Sequence, residues 1–135
     1  MNNLQEVLDF LAGKTFYLAT ADGDQPRVRP YGFVMTYEGR LYFANNETKP
    51  SFKQLITNPK FEISVTGDDG RQWIRVSGQA VHDPRPQAAE KAMETAPFLK
   101  EMYGAPGSPK LALFYISQGQ ATVEAMGDPA RVFTF

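Results

Sequence analysis

Residues 61–82 read FEISVTGDDGRQWIRVSGQAVH. The first six alternate, with Phe61, Ile63 and Val65 on one face and Glu62, Ser64 and Thr66 on the other. A period of two is the mark of a strand with one face buried and one in water. Gly67-Asp68-Asp69-Gly70 has turn chemistry. Arg71–His82 then alternates again, placing Ile74, Val76 and Ala80 inward and Arg75, Ser77 and Gln79 outward. Two alternating runs joined by a short polar turn make an antiparallel pair, so the fold class is mainly β.

Toward the N-terminus, Asn58-Pro59 closes a predicted helix that opens at Pro50. Ser51 and Gln54 are spaced as a capping box, and Phe52, Leu55 and Ile56 give an apolar stripe. Before it lie three β-rich runs, Thr15–Ala21, Arg27–Tyr37 and Arg40–Ala44, separated by Asp22-Gly23 and Glu38-Gly39. Short turns of this kind predict a three-stranded meander. Leu4, Val7, Leu8 and Leu11 keep helical spacing, with Asn3 and Glu6 as its capping box and Gly13 as its stop.

Toward the C-terminus, Pro86 to Tyr103 reads as helix broken near Pro97, followed by a loop over Gly104–Pro109. Leu111–Ser117 and Gln120–Ala125 read as two strands, and Arg131–Phe135 as a last one. The expectation is one domain over residues 1–135, with six or seven antiparallel strands and two or three helices. Closing the strands into a barrel removes exposed edges; an open sheet under helices is the alternative. Leu111–Ile116 is apolar on both faces, which predicts that one face is buried against a second subunit.

Composition narrows the function. Ten Phe, six Tyr and one Trp agree with strands. There is no Cys, which excludes disulfides and thiolate metal sites, and a single His, His82, gives little support to zinc or to Ser–His chemistry. Fourteen basic against fifteen acidic residues give a net charge of -1, which argues against a dedicated nucleic-acid binder. No apolar run approaches the roughly 18–20 residues of a membrane span. The opening MNNLQEVLDFLAGK lacks the basic start and apolar stretch of a signal peptide, so a cytoplasmic location is expected. The acidic residues fall mostly in turns, so any redox chemistry would come from a cofactor.

Three stretches stand out. In Arg27–Phe33 two arginines share a face with Tyr31 and Phe33, and Pro30 and Gly32 mark a place where something approaches the backbone. By itself, that arginine pair is equally a solvated face. In Asn45–Gln54 a strand end runs into a helix N-terminus carrying Lys49, Ser51 and Lys53, a phosphate-binding arrangement or, more plainly, a capped surface helix. In Gln72–Gly78, Trp73 falls beside Arg75 on the polar face, where it lines a pocket for a planar anion or packs at an interface.

Taken in order, PRVRPYGFV, EGRLYFANN, TKPSFKQLITNP, FEISVTG and WIRVSGQAV resemble the FMN-binding split-barrel superfamily that includes pyridoxamine 5'-phosphate oxidase, in its short members. The resemblance implies a homodimer with two FMN sites at its interface. It places the FMN phosphate at Lys49, Ser51 and Lys53, and the ring along Arg29, Pro30 and Tyr31 with Asn45 at the end of the next strand. It puts Trp73 nearby, facing the partner's cofactor. One departure concerns the phosphate: no arginine stands between Arg40 and Arg71, where many members carry one. A second concerns the substrate. The arginine- and histidine-containing C-terminal segment of the full oxidase has no counterpart here, so oxidation of pyridoxamine 5'-phosphate is not expected. The function implied is a flavin-dependent oxidoreductase acting on a small molecule. An electron carrier or sensor, a barrel holding deazaflavin or haem, and a nucleic-acid-binding barrel are the alternatives.

Overall fold

The computed structural model describes residues 2–105, 108 and 110–135; positions 106, 107 and 109 of the predicted loop lie outside them. In chain order the elements are α1 (Asn3–Leu11), β1 (Phe16–Asp22), β2 (Gln25–Tyr31), β3 (Val34–Tyr37), β4 (Arg40–Asn46), α2 (Pro50–Thr57), β5 (Lys60–Thr66), β6 (Gln72–Asp83), α3 (Pro86–Thr95), α4 (Pro97–Tyr103), β7 (Leu111–Ala125) and β8 (Arg131–Thr134). The eight strands form one antiparallel sheet in the order β2-β1-β5-β6-β7-β4-β3, with β8 added on β7. The fold is mainly β, an antiparallel split barrel. No helix of the described residues is long and apolar enough to cross a membrane.

The predicted meander is replaced by two separate hairpins. Arg27–Tyr37 is not one strand: it breaks at Gly32-Phe33 into β2, which pairs with β1, and β3, which pairs with β4. These two halves end up at opposite ends of the strand order. Pro26 and Pro30 account for the placement of β2, since a strand with two missing N–H donors is suited to an edge.

The converse holds near the C-terminus, where two predicted strands are the single 15-residue β7. Gln118 takes a positive φ of 54°, yet the strand continues through it. Opposite, the β6 register shifts between Ser77 and Gln79. An irregularity of this kind bends a strand without ending it. A Cβ on Gly78 would lie 2.9 Å from the Ser117 carbonyl oxygen, so only glycine fits this close approach. At the other end of the chain the α1 cap is Asn2, whose Oδ1 accepts from Gln5 N at 2.8 Å; Asn3 instead donates to the Thr134 carbonyl on β8 at 2.8 Å.

Two apolar clusters result. The larger fills the barrel with inward residues such as Phe16, Phe43, Ile63, Ile74 and Phe114, covered by Val7 and Leu11 of α1 and Leu55 of α2. Phe43 and Phe114 stack at 5.6 Å and 12° within it. The second lies outside the barrel wall, where Met35, Tyr42 and Leu113 meet Ala88, Ala92 and Met93 of α3 and Leu99 of α4. The small alanines let α3 approach the sheet closely. Leu113, on the second face of Leu111–Ile116, is therefore buried beneath the chain's own helices, with Leu111 and Tyr115 beside it partly buried, so apolar residues on both faces of that run do not by themselves require a second subunit. His82, near the end of β6, is half-buried, its ring packed against Phe52 and Phe114, each at 5.3 Å.

Candidate functional site

The start of α2 is built differently from the predicted capping box. Lys49 is the N-cap, and no side chain caps the helix. Ser51 is nearly buried, and its hydroxyl donates to Asn45 Oδ1 at 3.1 Å. Gln54 turns away toward β1 and β2. The first-turn N–H groups thus remain without a side-chain acceptor from this box.

Asn45 closes a chain of contacts between elements that share no ladder. Its Oδ1 accepts from Ser51 and from Asn46 N at 2.7 Å, and its Nδ2 donates to the Tyr31 hydroxyl at 3.0 Å. Tyr31 belongs to β2 and Asn45 to β4, strands well separated in the sheet order. The side-chain bonds of Asn45, with Ser51 of α2, bridge the seam of the barrel at this point. The Tyr31 ring is fixed by Phe16, stacked at 6.1 Å, and by Phe43, edge-on at 5.8 Å. Burial pushes its phenol above the ordinary value, against the opposing pull of the Ser51 hydrogen bond and the Arg29 charge. Tyr31 is therefore a neutral hydroxyl at physiological pH.

Arg29 and Tyr31 share the inward face of β2, opposite Leu18 and Phe16 in the ladder. Arg29 donates from Nη1 to Thr20 Oγ1 at 2.7 Å and from Nη2 to Gln54 Oε1 at 3.1 Å. The β1–β2 register runs unbroken from Phe16–Tyr31 to Asp22–Gln25, so Pro30 introduces no bulge into this ladder. Pro30, on the outward face, sits at the rim.

Six residues singled out in the sequence, Arg29, Pro30, Tyr31, Asn45, Lys49 and Ser51, line one cleft of about 390 Å³. Tyr103 of α4 forms its far wall, and none of the lining residues is acidic. Lys53 is exposed on α2 and does not line the cleft. Trp73 is elsewhere: it is half-buried on the outer face of β6, in a separate groove of about 630 Å³ shared with Arg71 and Met126. Its neighbour Arg75 is already paired, with Glu124 at 2.8 Å and Glu62 at 3.1 Å. That pairing removes Arg75 as the charge for a planar anion.

Sequence reading missed Thr20, Gln54 and Tyr103, and also a cluster at the start of α3 in which Tyr42 and Asp83 are buried and Arg85 and Glu38 are exposed. There the Tyr42 hydroxyl donates to Asp83 Oδ2 at 2.7 Å, and Arg85 donates to both carboxylate oxygens at 3.0 Å. Glu38 completes the cluster on Arg85. Burial and the adjacent Asp83 push Tyr42 up to about 12. Burial alone would raise Asp83, but the hydrogen bonds from Arg85 and Tyr42 outweigh it and hold the carboxyl below its usual range. The only signal for this cluster in the sequence was Asp83-Pro84, which reads first as a strand terminus.

A family model described as pyridoxamine 5'-phosphate oxidase matches residues 4–129. No curated protein matches the chain. Among solved structures, a NimC/NimA family protein from Clostridium acetobutylicum is 43% identical at a TM-score of 0.91, over 98% of this chain and 92% of that one. General Stress Protein 26 from Bacillus anthracis is 17% identical at a TM-score of 0.73, over 98% of this chain and 100% of that one. A FAD-binding protein from Mesorhizobium loti is 19% identical at a TM-score of 0.61, over 93% and 96% of the two chains. The last two likenesses are of fold.

Proposed function

This chain belongs to the pyridoxamine 5'-phosphate oxidase family, and we propose that it binds FMN in the cleft beside α2 and acts as a flavin-dependent oxidoreductase on a small molecule. The observation that carries this reading is the convergence of β2, β4 and the α2 N-terminus on one cleft with two cations and no carboxylate in its lining. The donor set fits the group. Lys49 and the first-turn N–H groups of α2 suit a phosphate, because the helix end adds a partial positive charge. Tyr31 and Asn45, fixed by their mutual hydrogen bond, present rigid polar edges to the ring. Arg29 adds positive charge, which favours an anionic reduced form. Ser51 spends its hydroxyl on Asn45 and serves to hold that residue. Lys53, exposed one turn into α2, contributes through the field of its charge. When bound, the flavin supplies reversible electron and hydride transfer; the protein orients it and excludes competing reactions.

The reading includes a homodimer with the second FMN at the interface. Trp73 and the 52%-exposed Tyr17 both lie on the outer face of the β1–β5–β6 sheet. There Trp73 would meet the partner's cofactor.

Titration of the apoprotein with FMN, FAD and riboflavin tests the cofactor. Lys49→Ala should weaken FMN by about ten- to a hundredfold, the value of one charge-assisted bond, and leave riboflavin unchanged. Equal losses for FMN and riboflavin would remove Lys49 from the phosphate. Turnover of NADH or NADPH with a second substrate separates an oxidoreductase from an electron carrier, and light scattering reads the dimer.

A further inference from the structure

Arg29 is held in place without being neutralised. Its guanidinium donates to the Thr20 hydroxyl at 2.7 Å and to the Gln54 amide oxygen at 3.1 Å. Thr20 in turn donates to that same Gln54 oxygen at 2.6 Å. Both acceptors are uncharged. Among the described residues no carboxylate comes within ion-pair distance of Arg29, whereas Arg27 and Arg131 each have one and Arg75 and Arg85 each have two. Thr20 is 4% exposed and Gln54 half-buried, so this clamp is set into the wall and not formed at the surface.

The choice of glutamine has a chemical meaning. A glutamate at position 54 has the same reach and accepts the same two hydrogen bonds more strongly. It would also cancel the charge of the guanidinium it holds. Glutamine keeps the geometry and leaves the charge.

We propose that Thr20 and Gln54 are positioning residues that fix Arg29 in the cleft wall while keeping its charge free for an anionic group of the ligand. The proposal rests on the FMN reading only for the identity of that anion, which is either the phosphate or the reduced ring.

Two variants of similar size separate charge from geometry. Gln54→Glu keeps the hydrogen bonds and neutralises Arg29; Gln54→Met removes the bonds and adds no charge. The proposal expects Gln54→Glu to be the worse of the two, with a melting temperature at or above that of wild type in the apoprotein. Its FMN affinity should fall about tenfold or more while riboflavin is unchanged, if the anion is the phosphate. Where the anion is the reduced ring, the bound flavin's potential moves negative instead. A purely structural clamp predicts the reverse order, because only Gln54→Met loses bonds, and that order would overturn the proposal. So would a Gln54→Glu protein with wild-type affinity and potential. Thr20→Asp against Thr20→Val repeats the comparison at the other holder if Gln54→Glu does not fold. If the wild type takes up no FMN, the flavin reading fails by itself. Inorganic phosphate then serves as the probe: it should raise the wild-type melting temperature and not that of Gln54→Glu, and equal effects on both would sink the charge assignment.

Discussion

Replacing Asn45 with alanine should open the seam between β2 and β4. The side chain is 7% exposed and serves three partners, the Ser51 hydroxyl at 3.1 Å, the Tyr31 hydroxyl at 3.0 Å and Asn46 N at 2.7 Å. Each intramolecular bond is worth about 0.5–1.5 kcal/mol net, and a polar group left buried without a partner costs about 1–3 kcal/mol. The expected loss is therefore about 3 kcal/mol, the sum of three average bonds. For a chain of this length that corresponds to a fall of roughly 10 °C in melting temperature. Urea unfolding followed by circular dichroism gives the free energy, and an unchanged denaturant slope would show that the same surface is exposed on unfolding. Asn45→Asp should cost less at neutral pH, because a carboxylate still accepts from Ser51 and can also accept a hydrogen bond from the Tyr31 hydroxyl. A loss below about 0.5 kcal/mol for the alanine variant, half of one average bond, would refute the view that these bonds hold the seam.

Tyr42→Phe removes a hydrogen bond to a buried carboxylate and should cost about 1.5–3 kcal/mol, read from the same unfolding curves. Because the folded Tyr42 lies near 12, above its ordinary value, its contribution is complete below about pH 10 and is lost between there and about 12; the variant should lack this alkaline step. Asp83 is held below its usual range, so its contribution is present at neutral pH and disappears as pH falls through the folded value. Asp83→Asn should flatten the acid limb of a stability-against-pH curve. Gly78→Ala forces a Cβ to 2.9 Å from the Ser117 oxygen and should destabilise by about 1–3 kcal/mol in thermal melts. On the FMN reading, Arg29→Ala should shift the bound flavin's potential to a more negative value while oxidised FMN binds nearly as before; an unchanged potential would remove Arg29 from the ring.

Elements whose local pattern and tertiary fate agree were legible in the chain. The β5–β6 hairpin follows from alternation, and the break near Pro97 from proline chemistry. What escaped was pairing at a distance. Gly32-Phe33 looked like the middle of a strand because its neighbours on both sides are β-formers, and only the barrel's closure separates them. Gln118-Gly119 read as the gap between two strands, but the ladder on both sides carries one strand through it. In the cleft, the residues that bring their own chemistry, such as Arg29, Lys49 and Asn45, could be picked out by type and position. Thr20 and Gln54 could not, since a threonine in a strand and a glutamine in a helix advertise nothing until Arg29 is seen between them. Trp73 drew notice for its neighbour Arg75, whose charge proved to be satisfied across the strands by Glu62 and Glu124.

The long β7 strand has a consequence for how the molecule comes apart. It pairs with β6, β4 and β8, and its alternate residues feed both apolar clusters, Phe114 and Val123 inside the barrel and Leu113 beneath α3 and α4. Releasing the helices strips one side of a strand whose other side anchors the barrel, and melting the barrel removes the floor on which the helices rest. The two clusters are thus one cooperative unit for unfolding. Amide protons in the middle of β7 should therefore be among the most slowly exchanging, released through global opening.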